Sequence, residues 1–123
     1  MEKRKYNSPE FKHLSQQYGL NFLVLFGSHA SGLANQLSDF DIGYSADNDI
    51  DIETEHQITT KLKNILNNPK VDLVNVRKTT PLLAKKALLE GALLAENTPH
   101  SFANDQIRAY HNYVETKPLR ELK

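Results

Sequence analysis

The run Asn21-Phe-Leu-Val-Leu-Phe26 is the strongest constraint on what this chain can become. A near-continuous apolar stretch of that length reads as a strand buried on both faces of a sheet. Gly27 and Ser28 follow at once, so the strand ends in a turn that leads into a short helix by Gly32. Signals for helices and strands alternate on either side. Ser8-Pro9-Glu10 gives a helix N-cap, a first-position proline and a first-turn acid. Phe11, Leu14 and Tyr18 then fall at helical spacing, and Gly19 supplies the stop. Ser38 to Tyr44 alternates acids with Phe40 and Ile42, the period of a strand with two unlike faces. From about Asp51 to Asn67, Ile58, Leu62, Ile65 and Leu66 form the apolar stripe of a long helix that Asn67-Asn68-Pro69 ends. Val71 to Val76 is β-branched and alternating. Thr80-Pro81 opens a helix to about Glu90, and Gly91 closes it. Ala92 to Glu96 suits a short final strand, and Thr98-Pro99 opens a last helix carrying Phe102, Ile107, Tyr110 and Val114.

This order of elements predicts strands and helices mixed in one α/β domain, residues 1–123, with no repeat or linker to divide it. Fifteen Lys and Arg balance fifteen Asp and Glu, which argues against a protein that binds nucleic acid directly through a basic surface. The absence of cysteine excludes a disulfide framework, a thiolate zinc site and a cysteine nucleophile. The basic start MEKRKYNSPEFKHL leads into no apolar run, so neither a secretory signal nor a membrane span is expected, and cytoplasm is the simplest location.

The chemistry concentrates between Gly27 and Asp41. Residues two apart on a strand share a face, so Asp39 and Asp41 project side by side and repel. A divalent cation would resolve that repulsion, and oxygen-only ligands suit Mg²⁺ or Mn²⁺. Asp72 is a third acid inside an apolar run. If its strand lies beside Asp39–Asp41, the three carboxylates converge into a cluster able to serve phosphoryl or nucleotidyl transfer. Taken alone, these acids also describe a solvated edge strand. Gly27 permits close backbone approach to a ligand, and Ser28 is placed to N-cap the next helix, whose first N–H groups attract phosphate. Gly27-x₄-Gly32 looks like half a P-loop, but Leu33-Ala34 stand where Lys and Ser or Thr are needed, so a Walker-type site is rejected. By themselves the glycines describe an ordinary turn.

Strand, Gly27-Ser28, ten residues, Asp39-Phe40-Asp41 and a later strand acid together resemble the DNA polymerase β-like nucleotidyltransferase superfamily. The chain is most similar to its smallest branch, the minimal nucleotidyltransferases (MNT), MntA-type antitoxins of HEPN/MNT toxin–antitoxin pairs. The resemblance runs from about Phe22 to Glu96 and includes the helix-glycine-strand ending Leu88-Leu-Glu-Gly-Ala-Leu-Leu-Ala-Glu96. It implies a small mixed β-sheet flanked by helices. It assigns the nucleotide phosphates to Gly27 and Ser28, and Mg²⁺ to Asp39 and Asp41. Asp72 is the position that completes the metal site and activates the acceptor hydroxyl. The implied reaction is AMP transfer from ATP to a tyrosine of a partner HEPN ribonuclease toxin, encoded next door. Many relatives carry Gly-Ser-Arg-Ala-Arg-Gly where this chain has His29 and Ser31, so two fixed cations are missing; Lys70 or Arg77, at the ends of the Asp72 strand, are the candidates to replace them.

Two further readings stand beside this one: a toxin-binding module with a degenerate nucleotide site, and a small-molecule (aminoglycoside-like) nucleotidyltransferase, which the short chain strains. The five histidines show no zinc spacing. Arg108-Ala-Tyr-His111 is too close for the Arg-x₄₋₆-His pattern of HEPN nucleases, so the chain resembles the modifier and not the toxin. Asp47, Asp49 and Asp51 fit no calcium-loop register and read as a turn and a helix start. Phe102, Tyr110 and Tyr113 could line a partner groove, although core packing is the more frequent role for such a stripe.

Overall fold

A computed structural model describes residues 8–32 and 39–117. Helix α1 (Pro9–Gln17) precedes strand β1 (Leu20–Phe26), the one-turn helix α2 (Ser28–Ser31) and strand β2 (Phe40–Ala46). Helix α3 (Ile52–Leu66), strand β3 (Val71–Asn75), helix α4 (Pro81–Leu89), strand β4 (Ala92–Glu96) and helix α5 (Ser101–Glu115) follow. The basic first seven residues, Leu33-Ala34 and the expected strand start at Ser38 lie outside the described residues.

The local grammar explains most of the boundaries. The Ser8 hydroxyl accepts from the Glu10 amide at 3.1 Å, and Pro9 occupies the first turn of α1. Asp51 caps α3 by accepting from the Thr54 amide at 2.8 Å, and Asn67 ends that helix in the left-handed region at φ 51°. Thr80 caps α4 through the Leu83 amide at 3.2 Å. The last helix departs from expectation. Thr98 does not open it, because the Thr98 hydroxyl donates to the Asn21 side chain at 2.8 Å and the Thr98 amide donates to the Asn21 carbonyl at 3.2 Å. Helix α5 begins three residues later, where the Glu96 carboxylate accepts from the Phe102 amide at 2.9 Å.

The four strands form a mixed sheet in the order β3-β2-β1-β4, with β2 and β3 parallel and the other two pairs antiparallel. β1 is buried at every position, as its composition requires. Successive residues of β1 and β2 face opposite sides. Leu23, Leu25, Phe40, Ile42 and Tyr44 meet Phe11 and Leu14 of α1 and Ile58 and Leu62 of α3 on one side. Phe22, Val24 and Phe26 meet Ala84, Ala87 and Leu88 of α4 and Ala109 of α5 on the other. Gly43 leaves room for Val76 and Val24 beneath α4: a Cβ there would lie 2.7 Å from Val76 Cγ1 and 3.0 Å from Val24 Cγ1, with the Ala87 Cβ of α4 at 3.6 Å.

Helix α5 buries Ser101, Asp105 and Ala109, whereas Ile107, Tyr110 and Val114 of the expected stripe are exposed. Phe102 alone of that set turns inward, edge-on to Phe22 at 5.1 Å. The three aromatics considered for a groove therefore separate. Phe102 packs inward, Tyr113 lies under the Lys85 ammonium at 5.1 Å, and Tyr110 faces out. Among the described residues, no helix is long and apolar enough to cross a membrane.

Candidate active site

The end of the sheet where β1 stops and β2 and β3 begin collects the acids. Asp41 stands opposite Phe26 on one side and Asp72 on the other, in the registers of β1–β2 and β2–β3. Paired positions on neighbouring strands share a face and lie about 5 Å apart, so Asp41 and Asp72 are neighbours on the side carrying α4 and α5. Asp39 stands one residue ahead of β2 and is exposed, as is Asp72. The acids expected to meet are brought to one corner.

Electrostatics ties them together. Burial pushes the Asp41 carboxyl up from the ordinary aspartate range, the charges of Asp72 and Asp39 push it further, and His29 opposes them. Among the described residues, no three acidic or histidine side chains are gathered closely enough to hold an ion as they stand. The donor set itself, three carboxylates on neighbouring backbone positions, fits an oxygen-preferring divalent cation.

The glycine–serine turn comes into contact with this corner. Gly27 has φ 77° and ψ −153°, a region that side chains essentially never occupy. A Cβ there would lie 2.3 Å from Asp41 Oδ2, so the carboxylate rests directly over the glycine. Gly27 is also the N-cap of α2, and no side chain caps that helix. Ser28 is thus the first helical residue and not the cap expected from sequence; glycine's conformational range lets the chain begin the helix one residue earlier. The amides of Ala30 and Ser31 both donate to the Gly27 carbonyl at 3.1 Å. The Ser31 hydroxyl donates to the Ser28 carbonyl at 3.2 Å, and Gly32 closes the turn in the left-handed region at φ 83°. His29 stacks on Phe40 with ring centroids 3.7 Å apart and planes 11° from parallel.

Of the two cations considered as replacements for the missing arginines, the structure keeps one near the site. Lys70 lies just before β3 on the Asp39 side, and its carbonyl accepts from the Phe40 amide at 2.8 Å. Arg77 is at the far end of the sheet. Its Nε donates to Asp105 at 3.1 Å, and its Nη1 donates to Asp47 at 3.2 Å, so it is committed elsewhere. The acidic run after β2 likewise holds structure together: Asp47 pairs with Arg77, Asp49 with Lys78, and Asp51 caps α3. Sequence reasoning missed the His29–Phe40 stack and the Gly27–Asp41 contact. Both join segments that no periodicity relates, and the unusual dihedral need at Gly27 was the single available hint.

A mixed sheet whose Gly-Ser turn faces an Asp-x-Asp strand and a third strand acid is the arrangement of a nucleotidyltransferase domain. The profile of the family "Polymerase beta, Nucleotidyltransferase" matches residues 10–100, and the chain belongs to that family. No curated protein matches the chain by sequence. Solved structures do. A toxin–antitoxin structure with AMP-PNP superposes with a TM-score of 0.77 at 24% identity, covering 90% of each chain. The MNT antitoxin complex with tri-AMPylated HEPN toxin from Shewanella oneidensis gives 0.74 at 22% identity, covering 99% of this chain and 94% of that one. The MntA–HepT toxin–antitoxin structure gives 0.74 at 21%, covering 98% and 93%. At such identities the likeness establishes the fold.

Proposed function

We propose that this chain is an antitoxin-type protein nucleotidyltransferase that moves AMP from ATP to a hydroxyl, a tyrosine, of a cytoplasmic HEPN ribonuclease toxin and thereby silences it. The whole chain, residues 1–123, acts as one such domain. The observation that carries the reading is the corner in which Asp41, in register with Asp72, rests over Gly27 of the glycine–serine turn. Support for the protein acceptor comes from the relatives, among them a complex whose toxin is tri-AMPylated.

Asp39, Asp41 and Asp72 would hold Mg²⁺, which supplies charge neutralisation at the phosphates. Gly27, lacking a side chain, and Ser28 receive the β- and γ-phosphates against the first amides of α2. The acceptor oxygen forms a bond to the α-phosphorus as the bond from that phosphorus to the bridging oxygen breaks. Pyrophosphate leaves with the electron pair. Asp72, exposed on the edge strand β3, would take the hydroxyl proton.

The test is the intact mass of the neighbouring HEPN protein after incubation with this chain, ATP and Mg²⁺. One or more added AMP units are expected, and none with Asp39→Ala. Unmodified partner in the presence of active-site-intact protein overturns the transfer. A second reading, neutralisation by contact alone, draws on the turn itself: His29, stacked on a ring, and Ser31, bonded back within the turn, stand where the resembled family carries two arginines. It requires a tight complex with no change in mass.

A further inference from the structure

We propose that His29 is a positioning residue whose ring, stacked on Phe40, braces the glycine–serine turn and the one-turn helix α2 against the start of β2. This inference rests on the reading of that corner as the nucleotide site.

The turn holds β2 from both sides. Phe40 and Asp41 are consecutive strand residues and point to opposite faces. Gly27 touches Asp41 on the α4–α5 side, while His29 lies flat on Phe40 on the α1–α3 side. Phe40 is a fixed platform: it is 1% exposed and packed among Ile42, Tyr44 and the residues of α1 and α3. The hydrogen bonds from Ala30, Ser31 and Gly32 back to Gly27 and Ser28 shape the turn, but all of them stay inside it. The β1–β2 ladder ends at Phe26 opposite Asp41 and anchors the first residue of the turn, and the ring contact, with Ala30 packed on the same core beside it, adds a hold on α2 beyond that ladder.

A near-parallel stack at 3.7 Å uses the face of the ring and not its nitrogens. A role through the ring face survives replacement by phenylalanine, whereas a role through nitrogen, toward Asp41 or a phosphate, does not.

The experiment compares wild type, His29→Phe and His29→Ala. Amide hydrogen exchange at Ala30 and Ser31 is measured without nucleotide, and affinity is measured with AMP-PNP and Mg²⁺. His29→Ala should speed exchange at both amides and weaken AMP-PNP binding, each by about three- to tenfold, the size of one aromatic pair. His29→Phe should leave both within about twofold, and all three melting temperatures should agree within about 3 °C, since the rest of the core is untouched. Equal losses in His29→Phe and His29→Ala would show that the imidazole nitrogens do the work and overturn the brace. Unchanged exchange in His29→Ala would overturn it as well. If exchange responds as expected but wild type binds no AMP-PNP, the brace stands and the nucleotide reading of the corner fails.

Discussion

Gly27→Ala is the substitution that most directly probes how the turn and the acids share one corner. The backbone at Gly27, with φ 77° and ψ −153°, lies where an L-residue pays about 1–3 kcal/mol of strain. The new methyl would also sit 2.3 Å from Asp41 Oδ2 and 3.3 Å from Asp41 Cγ. Moving the carboxylate aside is an overpacking penalty of about 1–2 kcal/mol. The total expected loss is about 2–5 kcal/mol in urea unfolding at pH 7, read from the midpoint with an unchanged slope. Two comparisons isolate the terms. Gly32→Ala, at φ 83° and ψ 8° with nothing within 4 Å of the added carbon, carries backbone strain alone and should lose about 1–2 kcal/mol. In an Asp41→Ala background the carboxylate is gone, so Gly27→Ala should lose about 1–2 kcal/mol less than it does in wild type. An identical loss in both backgrounds would refute the contact between Gly27 and Asp41. A loss no larger than that of Gly32→Ala would leave nothing for the contact, and no loss at all would refute the strain as well.

The remaining expectations concern charge. Burial, then Asp72, then Asp39 raise the folded-state Asp41 carboxyl, so the fold favours its protonated form. That stability is fully present below the unfolded-state value and is lost as pH rises through the folded-state one. Asp41→Asn should therefore melt at or above the wild-type temperature at pH 7 in EDTA, lose that advantage at pH 4, and transfer no AMP; a lower melting temperature at pH 7 would contradict the electrostatic account. Asp105 is 2% exposed and accepts from Arg77 at 3.1 Å and Arg108 at 2.9 Å. Asp105→Ala should cost about 1–3 kcal/mol in urea unfolding, moderated because both arginines can regain water, and should leave AMP-PNP binding at the opposite end of the sheet intact.

Much of the framework could be read from residue order because its causes are local. The apolar run 21–26 had to be a central strand, and the caps at Ser8, Asp51 and Thr80 fix three helix starts. Asp39, Asp41 and Asp72 were recognisable by alternation, yet their meeting depended on whether β3 lies beside β2. The parallel pairing of Phe40 with Val71 and Asp41 with Asp72 settles that placement. Where distant partners compete with local grammar, residue order misled. Thr98-Pro99 has the form of a helix opening, but buried Asn21 captures Thr98, and Glu96 serves the helix start instead. Arg77 is five residues beyond Asp72 in sequence and resembles a site cation, but buried Asp105 claims it. The spacing of Ile107, Tyr110 and Val114 points to a core-facing stripe on α5, yet Ser101, Asp105 and Ala109 are the residues that helix buries.

The balanced charge of the chain conceals two different uses of aspartate. At the far end of the sheet, Asp47, Asp49 and Asp105 each meet an arginine or lysine, and the pairs fix loops and helix α5. At the near end, burial first and then the charges of Asp72 and Asp39 raise the Asp41 carboxyl, against a smaller opposing effect of His29, where a paired acid would be lowered. A chain that neutralises its acids so readily elsewhere has the means to do the same here. Clustering like charges over a glycine works against folding, and under the proposed nucleotidyltransferase reading a cation and a polyphosphate entering together would offset that cost. The same comparison gives a direct check on the assignment: Mg²⁺ with AMP-PNP should raise the melting temperature of wild type but not of Asp41→Asn, and should do so equally in Asp105→Ala. Stabilisation that persists in Asp41→Asn would move the nucleotide away from this corner.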